Sequence, residues 1–197
     1  FAKAFDTVEH EVILQMLKHK GFDDKWIGLV KEILSTGSSS VLLNGIHGKQ
    51  FKCKCGVRQG DPLSPLLFVL AAHLLHSVVN EMLSQGTLTL PIPSHDQEFP
   101  IIQYADVTLI FLTAREEELV ALKNMLFTFQ QSTGLKVNFA KSSMIPLNIY
   151  EGEATRLAVA LGCKIGQLPF TYLGLPLGTS RPRIVDLMPL VDTLERR

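Results

Sequence analysis

Residues 101–112 read Ile101-Ile102-Gln103-Tyr104-Ala105-Asp106-Val107-Thr108-Leu109-Ile110-Phe111-Leu112. Two apolar arms, rich in residues that favour strands, meet at Tyr104-Ala105-Asp106-Val107, and Asp106 is the one charge in the block. Burying an unpaired carboxylate is costly. An acid held on a sheet between packed walls therefore suits a cation or a catalytic role better than it suits stability. A turn Asp capping its own backbone would satisfy the same residue, so neighbouring segments must decide between the two.

Upstream, Gly56-Val57-Arg58-Gln59-Gly60-Asp61-Pro62-Leu63-Ser64-Pro65 runs into Leu66-Leu67-Phe68-Val69-Leu70. A polar, glycine-bracketed loop thus feeds a long apolar helix. Its backbone N–H groups, with Arg58 and Gln59 close to a helix start, suit contacts to phosphate or to a base. In this order and spacing the two segments resemble the reverse transcriptases, specifically those of non-LTR retrotransposons (long interspersed elements) of the kind abundant in plants. Three further stretches carry the resemblance. Phe1-Ala2-Lys3-Ala4-Phe5-Asp6-Thr7-Val8 is similar to the tail of the family's first palm motif, Asp-Phe-x-Lys-Ala-Phe-Asp-x-Val. Gly134-Leu135-Lys136-Val137-Asn138-Phe139-Ala140-Lys141-Ser142 is similar to its Gly-Leu-x-Val-Asn-x-x-Lys-Ser motif. The run from Leu168 to Gly178, containing Tyr172-Leu173-Gly174, resembles the hairpin that grips the primer end.

The resemblance implies an α+β fold, a polymerase palm in which helices cover one face of an antiparallel sheet, with parts of the fingers and the primer-grip hairpin. It places a partial reverse transcriptase domain over 1–178 and the start of a connection to a thumb over 179–197. It implies template-directed nucleotidyl transfer with an RNA template, a DNA primer, deoxynucleotides and Mg2+, and an intracellular location, nuclear or cytoplasmic. Asp106 would be a catalytic, metal-binding carboxylate. Lys141 would protonate or screen the pyrophosphate leaving group. Phe5 would lie beneath the incoming sugar and exclude a ribose 2′-hydroxyl, Gln59, Gly60 and Arg58 would contact the nucleotide or template, and Tyr172, Leu173 and Gly174 would position the primer.

Two departures qualify this. In the family the first metal-binding aspartate immediately precedes the position of Phe1, so the expectation is a chain that begins after it. The family's Tyr-Ala-Asp-Asp box reads Tyr104-Ala105-Asp106-Val107, with valine in place of the second acid. Two cations about 3.5–4 Å apart serve in-line displacement at phosphorus, and each Mg2+ wants hard oxygen ligands. Asp106 alone leaves them poorly held, so a largely inactive enzyme is expected, one that Val107→Asp alone would not restore. A non-catalytic domain that holds an RNA–DNA hybrid is the alternative.

Composition sets outer bounds. The 197 residues are 46% apolar, enough for a core, and 19 Lys and Arg balance 19 Asp and Glu. That neutrality argues that the basic surface a polymerase turns to phosphate lies elsewhere. Leu66–Val79, interrupted by His73 and His76, looks too short to cross a bilayer, so no membrane partner is expected. The three cysteines, Cys53, Cys55 and Cys163, lack zinc-site spacing and fit a reducing interior. His73 and His76 lack a third ligand and read as structural.

Periodicity places a helix from a cap at Asp6–Glu9 to about Lys20, ended by Gly21, and a second from Asp24 to Ser35 with Trp26, Ile27, Leu29, Val30, Ile33 and Leu34 inward. Asn44-Gly45 marks a hairpin between 39–43 and 49–55. A helix from Ser64 ends near Gly86, and 87–100 reads as a loop. Thr113-Ala114-Arg115-Glu116 reads as a capping box opening a helix to about Ser132, with Leu119, Leu122, Leu126 and Phe129 inward. Two short hairpins and a helix near 153–161 follow, and the stretch after Thr179 ends in a helical run.

Overall fold

The computed structural model describes residues 1–92, 100–181 and 183–195, and the chain divides into two compact units, Phe1–Asn138 and Phe139–Arg197. The first unit runs α1 (Ala4–Thr7), α2 (His10–His19), α3 (Asp24–Thr36), β1 (Ser38–Ser39), β2 (Leu42–Leu43), β3 (Ile46–His47), β4 (Phe51–Lys52), α4 (Ser64–Ser84), β5 (Ile101–Tyr104), β6 (Val107–Ile110) and α5 (Glu116–Thr133). The second holds a 3-10 turn (Phe139–Lys141), β7 (Ser143–Met144), α6 (Glu151–Leu161), β8 (Lys164–Ile165), β9 (Phe170–Tyr172), β10 (Leu175–Leu177) and α7 (Ile184–Glu195). This is a mixed α+β architecture. In place of one sheet under a layer of helices, the described strands form five separate two-stranded pairs. Strands of two to four residues offer too few ladder bonds to recruit a third partner.

The core of the first unit is built on α4. Leu67, Phe68, Ala71, Ala72, Leu75 and Val79 are buried, a helical stripe that packs against α2, whose Ile13, Met16 and Leu17 are buried in turn. By length and composition α4 could cross a bilayer, being 21 residues long with an 18-residue window of mean hydropathy 1.6, which corrects the expectation that no run is long enough. The helix runs on past both histidines, and His73 and His76 stack ring on ring at 5.7 Å along one side of it. α3 spans its expected range with Asp23 as cap, accepting from the Lys25 backbone N–H at 2.8 Å. Only Val30 and Leu34 of its expected stripe are buried, however, and Trp26, Leu29 and Ile33 are exposed.

His73 gives the core a pH dependence. Burial first, then Lys20 at the end of α2, then His76 hold its pKa below the usual value. The unfolded chain therefore takes up the proton before the folded one does. This contribution to stability is complete above about pH 6.5 and is lost as pH falls below it through the folded pKa. Urea midpoints should drop between pH 7.5 and 5.5, and His73→Gln should flatten that drop; an unchanged slope in the variant would refute the assignment.

Two helix starts differ from the sequence reading for the same reason. The helix expected from Asp6 is interrupted at Val8, which is extended (φ −62, ψ 129) and fully buried. Its carbonyl accepts from Gly56 N at 2.7 Å, and that of Phe5 accepts from Val57 N at 2.6 Å. These long-range bonds displace a local cap. At α5, Thr113 does not cap the helix. Its hydroxyl meets that of Thr89 at 2.6 Å, and Thr89 offers its N–H and hydroxyl to the buried carboxylate of Glu118 at 2.8 and 2.7 Å. Because the single Thr89 proton goes to Glu118, Thr113 is the donor between the hydroxyls. Glu118 thereby pins the beginning of the expected 87–100 loop, beside buried Leu88; residues 93–99 of that loop lie outside the described ones. The inward set Leu119, Leu122, Leu126 and Phe129 is as expected.

Asn44 and Gly45, at φ 50 and 82, form the turn between β2 and β3, the left-handed pair that such a tight hairpin requires. Among the described residues of the second unit one hairpin forms rather than two. β9 and β10 pair across Leu173-Gly174, at φ 53 and 84. β7 and β8 are parallel, joined through α6, as a connection long enough to hold a helix permits. α7 occupies the helical run after Thr179.

Candidate functional site

The β5–β6 register pairs Tyr104 with Val107, leaving Ala105-Asp106 as a two-residue turn with Ala105 at φ 49. Alternation puts Ile101, Gln103, Thr108 and Ile110 on one face and Ile102, Tyr104, Val107 and Leu109 on the other. The first face turns inward, for Ile101 is buried, and the amide of Gln103 and hydroxyl of Thr108 are buried without a partner. Tyr104 and Val107 are exposed, and so is Asp106. The expectation of a carboxylate between packed walls is corrected accordingly: Asp106 sits at a solvated tip and bears no burial cost. Its main-chain carbonyl accepts from the Phe1 nitrogen at 2.8 Å, and Ala2 bridges to Lys136. The opening segment therefore runs between the Asp106 turn and the chain leaving α5.

Asp106, Phe5, Gln59 and Gly60 line one cleft of about 440 Å³, together with Lys3, Ala4 and Pro65. Phe5 is held from below by stacking on Phe68, with centroids 4.8 Å apart and planes at 20°; Phe68 is itself buried in the core. The loop before α4 is drawn onto α1 by the bonds from Gly56 and Val57. Gly56 is required there: at φ 81, a Cβ would come within 2.7–2.8 Å of the Asp6 and Phe5 carbonyl oxygens. Gln59 donates from Nε2 to the Asp6 carboxylate at 3.3 Å. Gly60 turns the chain at φ 88, and Asp61 caps the entry to α4 by accepting from Leu63 N at 2.8 Å.

Arg58 is exposed and does not line the cleft. Lys141, Tyr172, Leu173 and Gly174 belong to the second unit. There Lys141 ends the 3-10 turn on the surface, Tyr172 is half-buried with its hydroxyl unpartnered, and Leu173 is exposed at the hairpin tip. The sequence reading missed Lys3 and Asp6 as parts of the site. Both stand within the quoted Phe1–Val8 motif, so the spacing that singled out Phe5 could have marked them.

The lining carries one carboxylate, Asp106, and one ammonium, Lys3. No group of three or more His, Cys, Asp or Glu side chains converges among the described residues. Val107 presents no oxygen. The residues present do not fit a site for two divalent cations, which needs several hard oxygen donors.

The motif for reverse transcriptase (RNA-dependent DNA polymerase) matches residues 1–177, nearly the whole chain. The chain belongs to the reverse transcriptase family. It is a reverse transcriptase domain of the non-LTR retrotransposon kind. It is 25% identical, over 98% of its length, to a "Retrovirus-related Pol polyprotein from type-1 retrotransposable element R2" of Popillia japonica, of which it covers 33%. It is 34% identical over 41% of its length to the "Retrovirus-related Pol polyprotein from type-2 retrotransposable element R2DM" of Drosophila melanogaster, covering 8% of that protein. To "Transposon TX1 uncharacterized 149 kDa protein" of Xenopus laevis it is 26% identical over 72% of its length, covering 10%. The chain thus spans a third or less of the length of these curated relatives.

Proposed function

We propose that the domain binds an RNA template, a DNA primer and an incoming deoxynucleotide in the cleft beneath Asp106, as an RNA-directed DNA polymerase domain in which nucleotidyl transfer is weakened by Val107. The observation that carries this is the convergence of Phe5, Gln59, Gly60 and Asp106, distant in sequence, on one cleft. Phe5, fixed by Phe68, gives the nucleoside a flat apolar floor and would meet a ribose 2′-hydroxyl. Gly60, without a side chain, lets a ligand approach the backbone, and Gln59 is steadied by Asp6. Arg58 would reach the template backbone from the rim. For Lys141 and the Tyr172-Leu173-Gly174 turn, both in the second unit, the motifs carry the proposed roles of acting on the leaving group and on the primer strand. The family brings a divalent metal; Mg2+ is the cation expected to supply Lewis-acid stabilisation where enough ligands are present. The order and spacing of the Gly56–Leu70 and Ile101–Leu112 segments support the subgroup abundant in plants.

A second reading keeps the nucleic acid and drops the chemistry: Val107, in the place of an acid, favours a domain that holds an RNA–DNA hybrid through backbone and 2′-hydroxyl contacts. Primer extension on an RNA template separates them. Slow, divalent-dependent incorporation supports the polymerase reading, whereas salt-sensitive hybrid binding that is indifferent to the cation supports the second. A chain that binds neither hybrid nor nucleotide would overturn both.

A further inference from the structure

We infer that the outer face of α3 is a self-association surface, on which a second copy of this chain packs helix to helix in an antiparallel, two-fold arrangement. Trp26, Leu29 and Ile33 follow one another along α3 at steps of three and four residues, the spacing of a helix–helix seam. All are large and apolar, and they are 42%, 52% and 54% exposed. Phe22, just ahead of the Asp23 cap, is 43% exposed and adjoins the same line. Val30 and Leu34, on the neighbouring face, already anchor α3 in the core. A further apolar seam turned to water marks a surface that another element covers.

The charges beside the seam select the occupant. Lys25 and Glu32 are both exposed on one flank of it, about 10 Å apart along the helix axis, too far to pair with each other. Neither makes an ion pair among the described residues. Set antiparallel, with Trp26 of each helix against Leu29 of the other, Lys25 meets Glu32 of the second copy, and the two-fold axis repeats the pair. The next antiparallel register, Leu29 against Ile33, brings Glu32 against Glu32, and a parallel pairing leaves both charges without an opposite. Opposite charges flanking a seam fix orientation and partner in this way. The face is thus complementary to itself, as a two-fold interface requires. A seam this short buries less than about 1,200 Å² in total, the small end for specific pairs, so the dimer is a micromolar one.

Trp26 is the only tryptophan in the chain, so its emission reports this seam alone. Sedimentation velocity between about 2 and 200 µM should show the mass rising from one copy towards two, with the Trp26 emission moving to shorter wavelength as the ring leaves water. Leu29→Lys, at an exposed position, should hold the chain at one copy and stop the shift while leaving its circular dichroism as it was. Lys25→Glu should weaken association about tenfold, because two attractive pairs become two repulsive ones, and adding Glu32→Lys should restore it to within about threefold. Both new charges suit the helix ends they stand near, so a loss of fold does not stand in for a loss of dimer. One copy at every concentration overturns the inference and gives this face to a different partner. A dimer indifferent to Leu29→Lys, or one weakened by Lys25→Glu that the charge swap does not rescue, overturns it equally.

Discussion

Gly134→Ala is expected to destabilise the first unit by about 3 kcal/mol or more. Gly134 ends α5 at φ 75, ψ −6, donating its N–H to the Gln130 carbonyl. A Cβ there runs into the backbone carbonyl oxygen of Thr7, which is not a flexible side-chain end that can move aside. The left-handed backbone contributes about 1–2 kcal/mol, and forcing an extra carbon into a packed junction a further 1–3 kcal/mol. The junction has little room to yield: Thr133 and Leu135 are both fully buried, the Thr133 hydroxyl accepts from Leu135 N at 3.1 Å, and its carbonyl accepts from Glu9 N at 2.9 Å. Gly60→Ala is the control. Gly60 has φ 88 but nothing within 4 Å of its would-be Cβ, so it isolates the backbone term. Urea unfolding followed by circular dichroism should show Gly134→Ala losing clearly more than Gly60→Ala. Equal losses would mean that the close approach to Thr7 carries no energy.

Gly134 also shows why part of this structure could be read from the chain and part could not. Features set by neighbours in sequence were legible. Asn44-Gly45 turns where its backbone preference dictates, α4 and α5 follow their apolar spacing, and the helix from Asp24 starts after an acid that caps it. Features set by distant partners were not. Val8 is an ordinary helix residue until Gly56 claims its carbonyl. Glu118 looks like one of three acids favouring a helix start, and only the fold brings Thr89 to its carboxylate. Trp26, Leu29 and Ile33 have the spacing of a core stripe, yet no element of the described first unit covers them. For the site, the motifs indicated Phe5, Gln59, Gly60 and Asp106, and these line one cleft. The solvation of Asp106 was not legible, since strand alternation does not tell how far a hairpin tip extends beyond the elements that flank it.

That solvation governs the largest functional change expected from a single residue. Val107→Asp should raise the affinity of the chain for Mn2+ about thirtyfold. Val107 is 44% exposed on the outward face of its strand, so an added carboxylate meets water and not a core. The change in fold stability is then only the mild preference of strands for valine over aspartate. Next to Asp106 it doubles the negative charge that a cation meets. One further unit charge about 4 Å from a divalent ion in a water-like dielectric contributes about 2 kcal/mol, which is about thirtyfold in affinity. Cation binding is the appropriate readout, because it registers each carboxylate separately, whereas turnover requires the full ligand set at once. Asp106→Asn on the Val107→Asp background should cancel most of the gain if the two side chains share one ion. Manganese affinity that does not respond to Val107→Asp, or a gain that survives Asp106→Asn, would place the cation away from the hairpin tip. A gain that depends on both residues would tie the missing second acid directly to the poor fit of this cleft for metal.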